Sequence, residues 1–147
     1  MYGSEFSLAE ALHNLMQMGV AYLLALPIAW NREEKSRSAG LRTYPLVAMA
    51  CCGFMLTGIY IFSEEHALSR VFQGIIGGMG FIGGGAILKN KDSVKGTATA
   101  ASLWGTGAIA VAVAWKLYEI AATLSLVSFL TLSVLQQLKT KINGEEA

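Results

Sequence analysis

The chain has 147 residues, of which 54% are hydrophobic and 14% charged, with a formal net charge of +1 and a mean hydropathy of +0.49. Soluble domains carry about 25% charged residues, and a chain this small cannot enclose several all-round apolar helices inside a polar shell, which excludes a water-soluble domain. Its basic residues are not interleaved with aromatic ones on a soluble face, which leaves nucleic-acid binding without support.

The charged residues leave five stretches free of Asp, Glu, Lys and Arg: 11–31, 43–63, 71–88, 96–115 and 120–138, with lengths of 21, 21, 18, 20 and 19 residues. A helix needs roughly 20 apolar residues to cross a bilayer core. The spacing predicts an all-α membrane protein with five transmembrane helices in a single membrane domain covering residues 1–147.

Ahead of the first stretch stand Glu5 and Glu10 and no cation, the reverse of a secretory signal peptide, so the first helix is expected to be retained. The segment from Arg32 to Arg42 follows, with Glu33 and Glu34 among its cations, and reads first as a solvated loop near anionic headgroups, the alternative being an ordered cap. In the second stretch Cys51 and Cys52 are sequence neighbours, about 100° apart on a helix, a poor arrangement for a disulfide or a paired metal site. They read as small side chains facing lipid or another helix.

Seven glycines crowd the third stretch: Gly74, Gly77, Gly78, Gly80, Gly83, Gly84 and Gly85. In water each costs about 1 kcal/mol relative to alanine, but in lipid small residues spaced four apart let helix backbones approach closely. Gly74 with Gly78 and Gly80 with Gly84 make two such pairs. The pattern predicts that this helix sits at the centre of the bundle, touching neighbours on two sides, and pairs tightly with the fourth, which offers Gly96, Ala98, Ala100, Ala101, Gly105, Gly107 and Ala108. The alternative is a broken helix exposing carbonyls to a cavity, as in transporters. Residues 78–83 also spell G-x-G-x-x-G, but with no preceding strand and no βαβ unit the dinucleotide reading fails.

Thr97, Thr99, Ser102 and Thr106 open the fourth stretch, and their hydroxyls read first as helix caps and back-bonds to carbonyls. Trp30, Tyr44, Tyr60, Trp115 and Tyr118 fall at the ends of stretches, where interfacial anchors belong. Lys and Arg divide nine to two between alternate connections: Arg32, Lys35, Arg37, Arg42, Lys89, Lys91, Lys95, Lys139 and Lys141 against Arg70 and Lys116. By the positive-inside rule this puts the N-terminus outside and the C-terminus in the cytoplasm. His13 and His66 have no evident partner, so neither a nucleophile–base pair nor a metal-ligand cluster is expected. The chain therefore reads as a non-enzyme without a metal or other cofactor.

Three motifs in register extend the reading. Arg32-Glu33 through Ala39-Gly40-Leu41-Arg42-Thr43, Gly78 through Ile87, and Gly96 through Thr99-Ala100-Ala101 to Trp104 together resemble the MgtC/SapB membrane proteins across nearly all of residues 10–138. The resemblance implies a five-helix bacterial inner-membrane protein, a role in adaptation to low magnesium, survival inside macrophages in some pathogens, and inhibition of the F-type ATP synthase. Many members carry a soluble C-terminal domain. This chain, ending about nine residues beyond the fifth stretch, reads as a short form without it. Three departures stand out: Asn31 where the family usually has an acid, Ala98 where it commonly has Thr or Asn, and Ala110 with bulkier neighbours where glycines are usual.

The functional residues expected are Arg32, Arg42 and Thr43 at the cytoplasmic mouth, Gly78, Gly80, Gly83 and Gly85 in the third helix, and Thr99 with Trp104 in the fourth. The expected function is regulatory, through helix contacts with a second copy or with a membrane complex such as the ATP synthase. The competing expectation is a permease for Mg²⁺ or another small solute, working as an oligomer, with the glycine-rich helix lining the path.

Overall fold

A computed structural model describes residues 7–35, 39–90, 93–135 and 137 of the chain. Glu5, Arg37, Lys91, Lys139, Lys141 and the last residues of the fifth stretch lie outside the described residues. Five helices run in chain order: α1 (Leu8–Lys35), α2 (Thr43–Ile61), α3 (Glu65–Gly85), α4 (Thr97–Ala114) and α5 (Tyr118–Leu130), the last continued by a π-helical turn, Thr131–Leu135. A short antiparallel hairpin, β1 (Leu88–Asn90) and β2 (Ser93–Lys95), joins α3 to α4 with Leu88 opposite Lys95. The sequence reading had only a connection there.

Four helical segments are long and apolar enough to cross a bilayer: Leu8–Glu34, Thr43–Ile61, Thr97–Ala114 and Tyr118–Leu135. The chain is thus an all-α, multi-pass membrane protein. The helix α3, at 21 residues, has the length, but its glycines and charged first turns lower its hydropathy.

Local chemistry sets the helix ends. Ser7 opens α1 by accepting the Glu10 N–H at 3.4 Å, half of a capping box. Gly96 precedes α4 with φ +88°, in the left-handed region, and a Cβ there would run into the Ala86 carbonyl oxygen. Lys116 also takes a positive φ, 60°, and closes α4: its N–H reaches the Val113 carbonyl at 2.9 Å while that of Leu117 reaches Ala112 at 2.8 Å, a Schellman end. Buried Gln17 of α1 then donates to the Val113 and Ala114 carbonyls at 3.1 and 3.3 Å, covering backbone acceptors that a lipid environment would leave bare.

The bundle is built around α4, which packs against all four other helices and is buried along most of its length. This corrects the expectation that α3 is the central helix. Only Ile75, Met79 and Gly83 of α3 are buried, a single stripe one residue wide at i, i+4 and i+8. The α3–α4 pair exists, made through Ala100 and Gly107 of the expected small residues on α4 but through one glycine of the seven on α3. Met79 lies against Gly107, where an added Cβ would come within 2.8 Å of its Cγ, and Gly83 sits against Ala100. The Met79 sulfur also meets the Cys51 thiol at 3.5 Å. By contrast, Gly74, Gly77, Gly78, Gly80, Gly84 and Gly85 have nothing within 4 Å of where a Cβ would stand. All seven glycines lie in one continuous helix, so the broken-helix alternative does not describe α3.

Cys51 and Cys52 are buried free thiols facing helices. Trp30, Tyr60, Trp115 and Tyr118 are exposed as anchors should be, whereas Tyr44 is fully buried and belongs to the core. That placement corrects its reading as an interfacial anchor, because its hydroxyl has partners inside the bundle.

Candidate functional site

Polar side chains converge at one end of the bundle, where α1 finishes, α2 and α4 begin, and the π-helical turn lies. The helix α1 runs past its charge-free stretch to Lys35, and at that junction Asn31, the last residue of the stretch, and Arg32, the first beyond it, are both in the interior at 5% exposed. Asn31 Oδ1 accepts from Arg32 Nη2 at 2.8 Å and from Nε at 3.3 Å, while Asn31 Nδ2 donates to Ser133 Oγ of the π-helical turn at 3.0 Å. The amide therefore supplies the geometry of an acceptor for the guanidinium without supplying a negative charge. Two nitrogen donors on one oxygen make a weaker hold than the bidentate pair a carboxylate would form.

Across the same end Tyr44 reaches α4. Its hydroxyl lies 2.6 Å from Ser102 Oγ and 3.3 Å from the Thr99 carbonyl, which Ser102 Oγ also approaches at 3.0 Å. Two hydroxyl protons serve three contacts, so the group has two arrangements: Ser102 donates to Thr99 and Tyr44 to Ser102, or Tyr44 donates to Thr99 and Ser102 to Tyr44. Thr106 donates back to the Ser102 carbonyl at 2.9 Å. Of the four hydroxyls expected to cap or back-bond, Ser102 and Thr106 back-bond, the α4 N-cap at Gly96 carries no side-chain bond, and Tyr44 ties the group to α2.

Of the two readings of the connection between α1 and α2, the ordered cap is the one that fits its described residues 39–42. Ala39 and Gly40 are buried, and the Glu33 carboxylate accepts the Leu41 N–H at 2.9 Å. A Cβ on Gly40 would fall on that carboxylate oxygen. The Gly40 carbonyl in turn accepts from Thr43 and Tyr44 at 3.0 and 3.1 Å, which starts α2. The neighbouring Glu34 accepts from the Trp30 indole at 2.8 Å. These contacts give the motif from Arg32 to Thr43 a mechanical role: Glu33 holds the turn that aims Tyr44 at α4.

Of the residues singled out from sequence, Arg32 bonds Asn31 at this end, Thr99 lends its backbone carbonyl to Tyr44 and Ser102, and Thr43 stands beside Tyr44. Arg42 is at the same end but exposed. Gly83 packs on α4, whereas Gly78, Gly80 and Gly85 lie on the open face of α3. Trp104 is 53% exposed and lines a cavity of about 110 Å³ with Phe72 and Met79, away from the polar cluster. Sequence reasoning missed Ser133 and Gln17 and misplaced Tyr44. The signal for Gln17 was there, a lone amide deep in an apolar stretch, which in lipid needs a partner. Among the described residues no three His, Cys, Asp or Glu side chains form a metal-binding group.

Comparison with known proteins places this arrangement. The MgtC family profile matches residues 18–141. YhiD of Escherichia coli K12, whose name proposes a magnesium transporter, is 30% identical over 135 residues, covering 87% of this chain and 63% of YhiD. SrpB of Synechococcus elongatus is 35% identical over 133 residues, covering 82% and 73%, and MgtC of Brucella abortus is 36% identical over 99 residues, covering 67% and 41%. The chain thus spans less than two thirds of the length of YhiD. No solved structure matches it. The profile match across most of the chain and these relatives establish that the chain belongs to the MgtC family.

Proposed function

We propose that this chain is a non-enzymatic regulator in the bacterial inner membrane, acting in adaptation to low magnesium through helix contacts with a second copy or with another membrane complex. All five helices cross the bilayer in this reading, with the N-terminus outside, as the charge asymmetry favours. The observation that carries it is the face of α3: six glycines with open space where side chains would stand, on a helix already anchored to the bundle by Ile75 and Met79. Such a face suits close van der Waals approach of another helix in lipid. An F-type ATP synthase, the partner implied by the family resemblance, is one complex that could present such a helix.

Co-expression of two differently tagged copies tests this. Mild-detergent capture of one tag should return the other copy or a defined membrane complex, and Gly78→Leu should reduce the yield several-fold with the protein still in the membrane. Repeated capture of neither would end the proposal.

A second reading follows from the name of YhiD: a Mg²⁺ permease, with the open glycine face lining a path in an oligomer. Mg²⁺ sheds water reluctantly and usually takes one or two carboxylates, and the end cluster offers an amide, hydroxyls and a guanidinium instead. Mg²⁺ flux into sealed liposomes above that of empty vesicles, absent in Gly80→Leu, would establish transport. No flux from folded protein would leave the regulatory reading.

A further inference from the structure

At the opposite end of the bundle, where α1 begins and α2 finishes, an open cleft of about 660 Å³ separates the two helices. Its lining is graded. Glu10, Asn14 and Tyr60 stand at the terminal end, and Met18, Ala50 and Phe54 continue it towards the middle of the bundle. From Glu10 to Met18 the helix rises roughly 12 Å, which takes the cleft from the interfacial zone well into the hydrocarbon half-thickness of about 15 Å. The volume is that of a pocket for a drug-sized ligand.

We propose that the cleft holds one phospholipid whose head carries a primary ammonium group, a phosphatidylethanolamine-type lipid. Charge complementarity selects the head. The charged lining residue is the Glu10 carboxylate, and among the described lining residues there is no Lys or Arg to receive an anionic head. The Tyr60 hydroxyl donates to Glu10 Oε2 at 2.9 Å and so fixes the carboxylate at the rim. One such bond leaves acceptor capacity on the two oxygens, and an ammonium brings three donors. Glu10 lies one residue before the charge-free stretch that starts at Ala11, at the depth of headgroups. Below it the apolar part of the cleft follows the direction of an acyl chain, with Phe54, 64% exposed, as one wall. The assignment depends neither on the orientation of the chain nor on the function proposed above, since it uses only the two helices.

The test uses the full chain in nanodiscs of equimolar palmitoyl-oleoyl phosphatidylethanolamine and phosphatidylglycerol, released into native mass spectrometry. The native chain should retain the ethanolamine lipid over the glycerol lipid by about threefold, the scale of one exposed ion pair. Glu10→Gln should bring that ratio to about one, and Ala50→Trp, which fills the cleft from an exposed position, should strip the retained lipid of both kinds. A ratio near one or below on the native chain overturns the proposal whatever the variants do. So does an undiminished preference in Glu10→Gln or undiminished lipid retention in Ala50→Trp.

Discussion

The helices α3 and α4 are both rich in small residues, yet they use them in opposite ways. On α4 the small residues of the second half largely face inward, Gly107 admitting Met79 and Ala110, Ala112 and Ala114 being buried among four neighbouring helices, while Ala98, Ala101 and Ala108 are exposed. On α3 six of seven glycines face outward into open space, and the helix holds to α4 by Ile75, Met79 and Gly83 and to the rest of the bundle by Leu68 and by Val71, which lies against Gly58 of α2. Small residues therefore mark where backbones can approach, but not whether the approaching backbone belongs to the same chain. Glycines that meet their own chain should be intolerant of a methyl group. Glycines that do not should be tolerant in the isolated molecule and sensitive only in assembly.

The sharpest break of that comparison is Gly96→Ala. The substitution forces an L side chain into the left-handed region at φ +88° and drives its Cβ into the Ala86 carbonyl, a backbone atom that cannot swing aside. Left-handed strain and overpacking together should cost about 3 kcal/mol. Thermal unfolding in detergent should show a large loss of stability or no folded protein. A melting temperature equal to that of the native chain would mean the hairpin can move away from α4.

A smaller effect is expected at Gly40, where the nearest obstacle is the far end of a side chain and the Glu33 Cα stands at 3.0 Å behind it. Gly40→Ala should displace the Glu33 carboxylate and cost the Leu41 hydrogen bond, about 1 to 2 kcal/mol for a bond to a charged acceptor. The measurement is a double-mutant cycle with Glu33→Ala. Once the carboxylate is gone, the added methyl should cost less, with the contact to the Glu33 Cα at 3.0 Å remaining, so the two changes should be non-additive. Additive losses would place the burden on the backbone of the turn instead.

Much of this architecture was legible because charge spacing is a coarse signal that lipid enforces: a helix cannot carry unpaired charges through hydrocarbon, so the gaps between charges mark the helices. Which face each helix buries was far less legible. The helices α2 and α4 are apolar all round, so periodicity assigns no inward face, and Tyr44 looked like an anchor until its hydroxyl was found between Ser102 and Thr99. From sequence Arg32 reads as the start of a connection because the charge-free stretch ends at Asn31, but a helix continues through a charged residue when a neighbour accepts hydrogen bonds from it, as Asn31 does. The π-helical turn that brings Ser133 to Asn31 left no mark in the sequence. The glycine count in α3 was visible, while its direction depended on two residues, Ile75 and Met79, that fix the rotation of the helix against α4.

The smallest effect on the isolated molecule is the most informative. Gly78→Ala adds a methyl where nothing lies within 4 Å, on a helix interior where glycine is the poorer helix former. In a monomeric detergent preparation the variant should be as stable as the native chain, or more stable by up to about 1 kcal/mol from helix propensity. In a bilayer, where the α3 face is proposed to meet another helix, the same methyl group should hold the two backbones apart and weaken association. Energy transfer between labelled copies diluted in lipid separates the two terms: stability unchanged with association reduced places Gly78 at an interface between chains. Stability reduced in detergent would show instead that α3 rotates and uses this face against its own bundle, and the contrast with α4 would disappear.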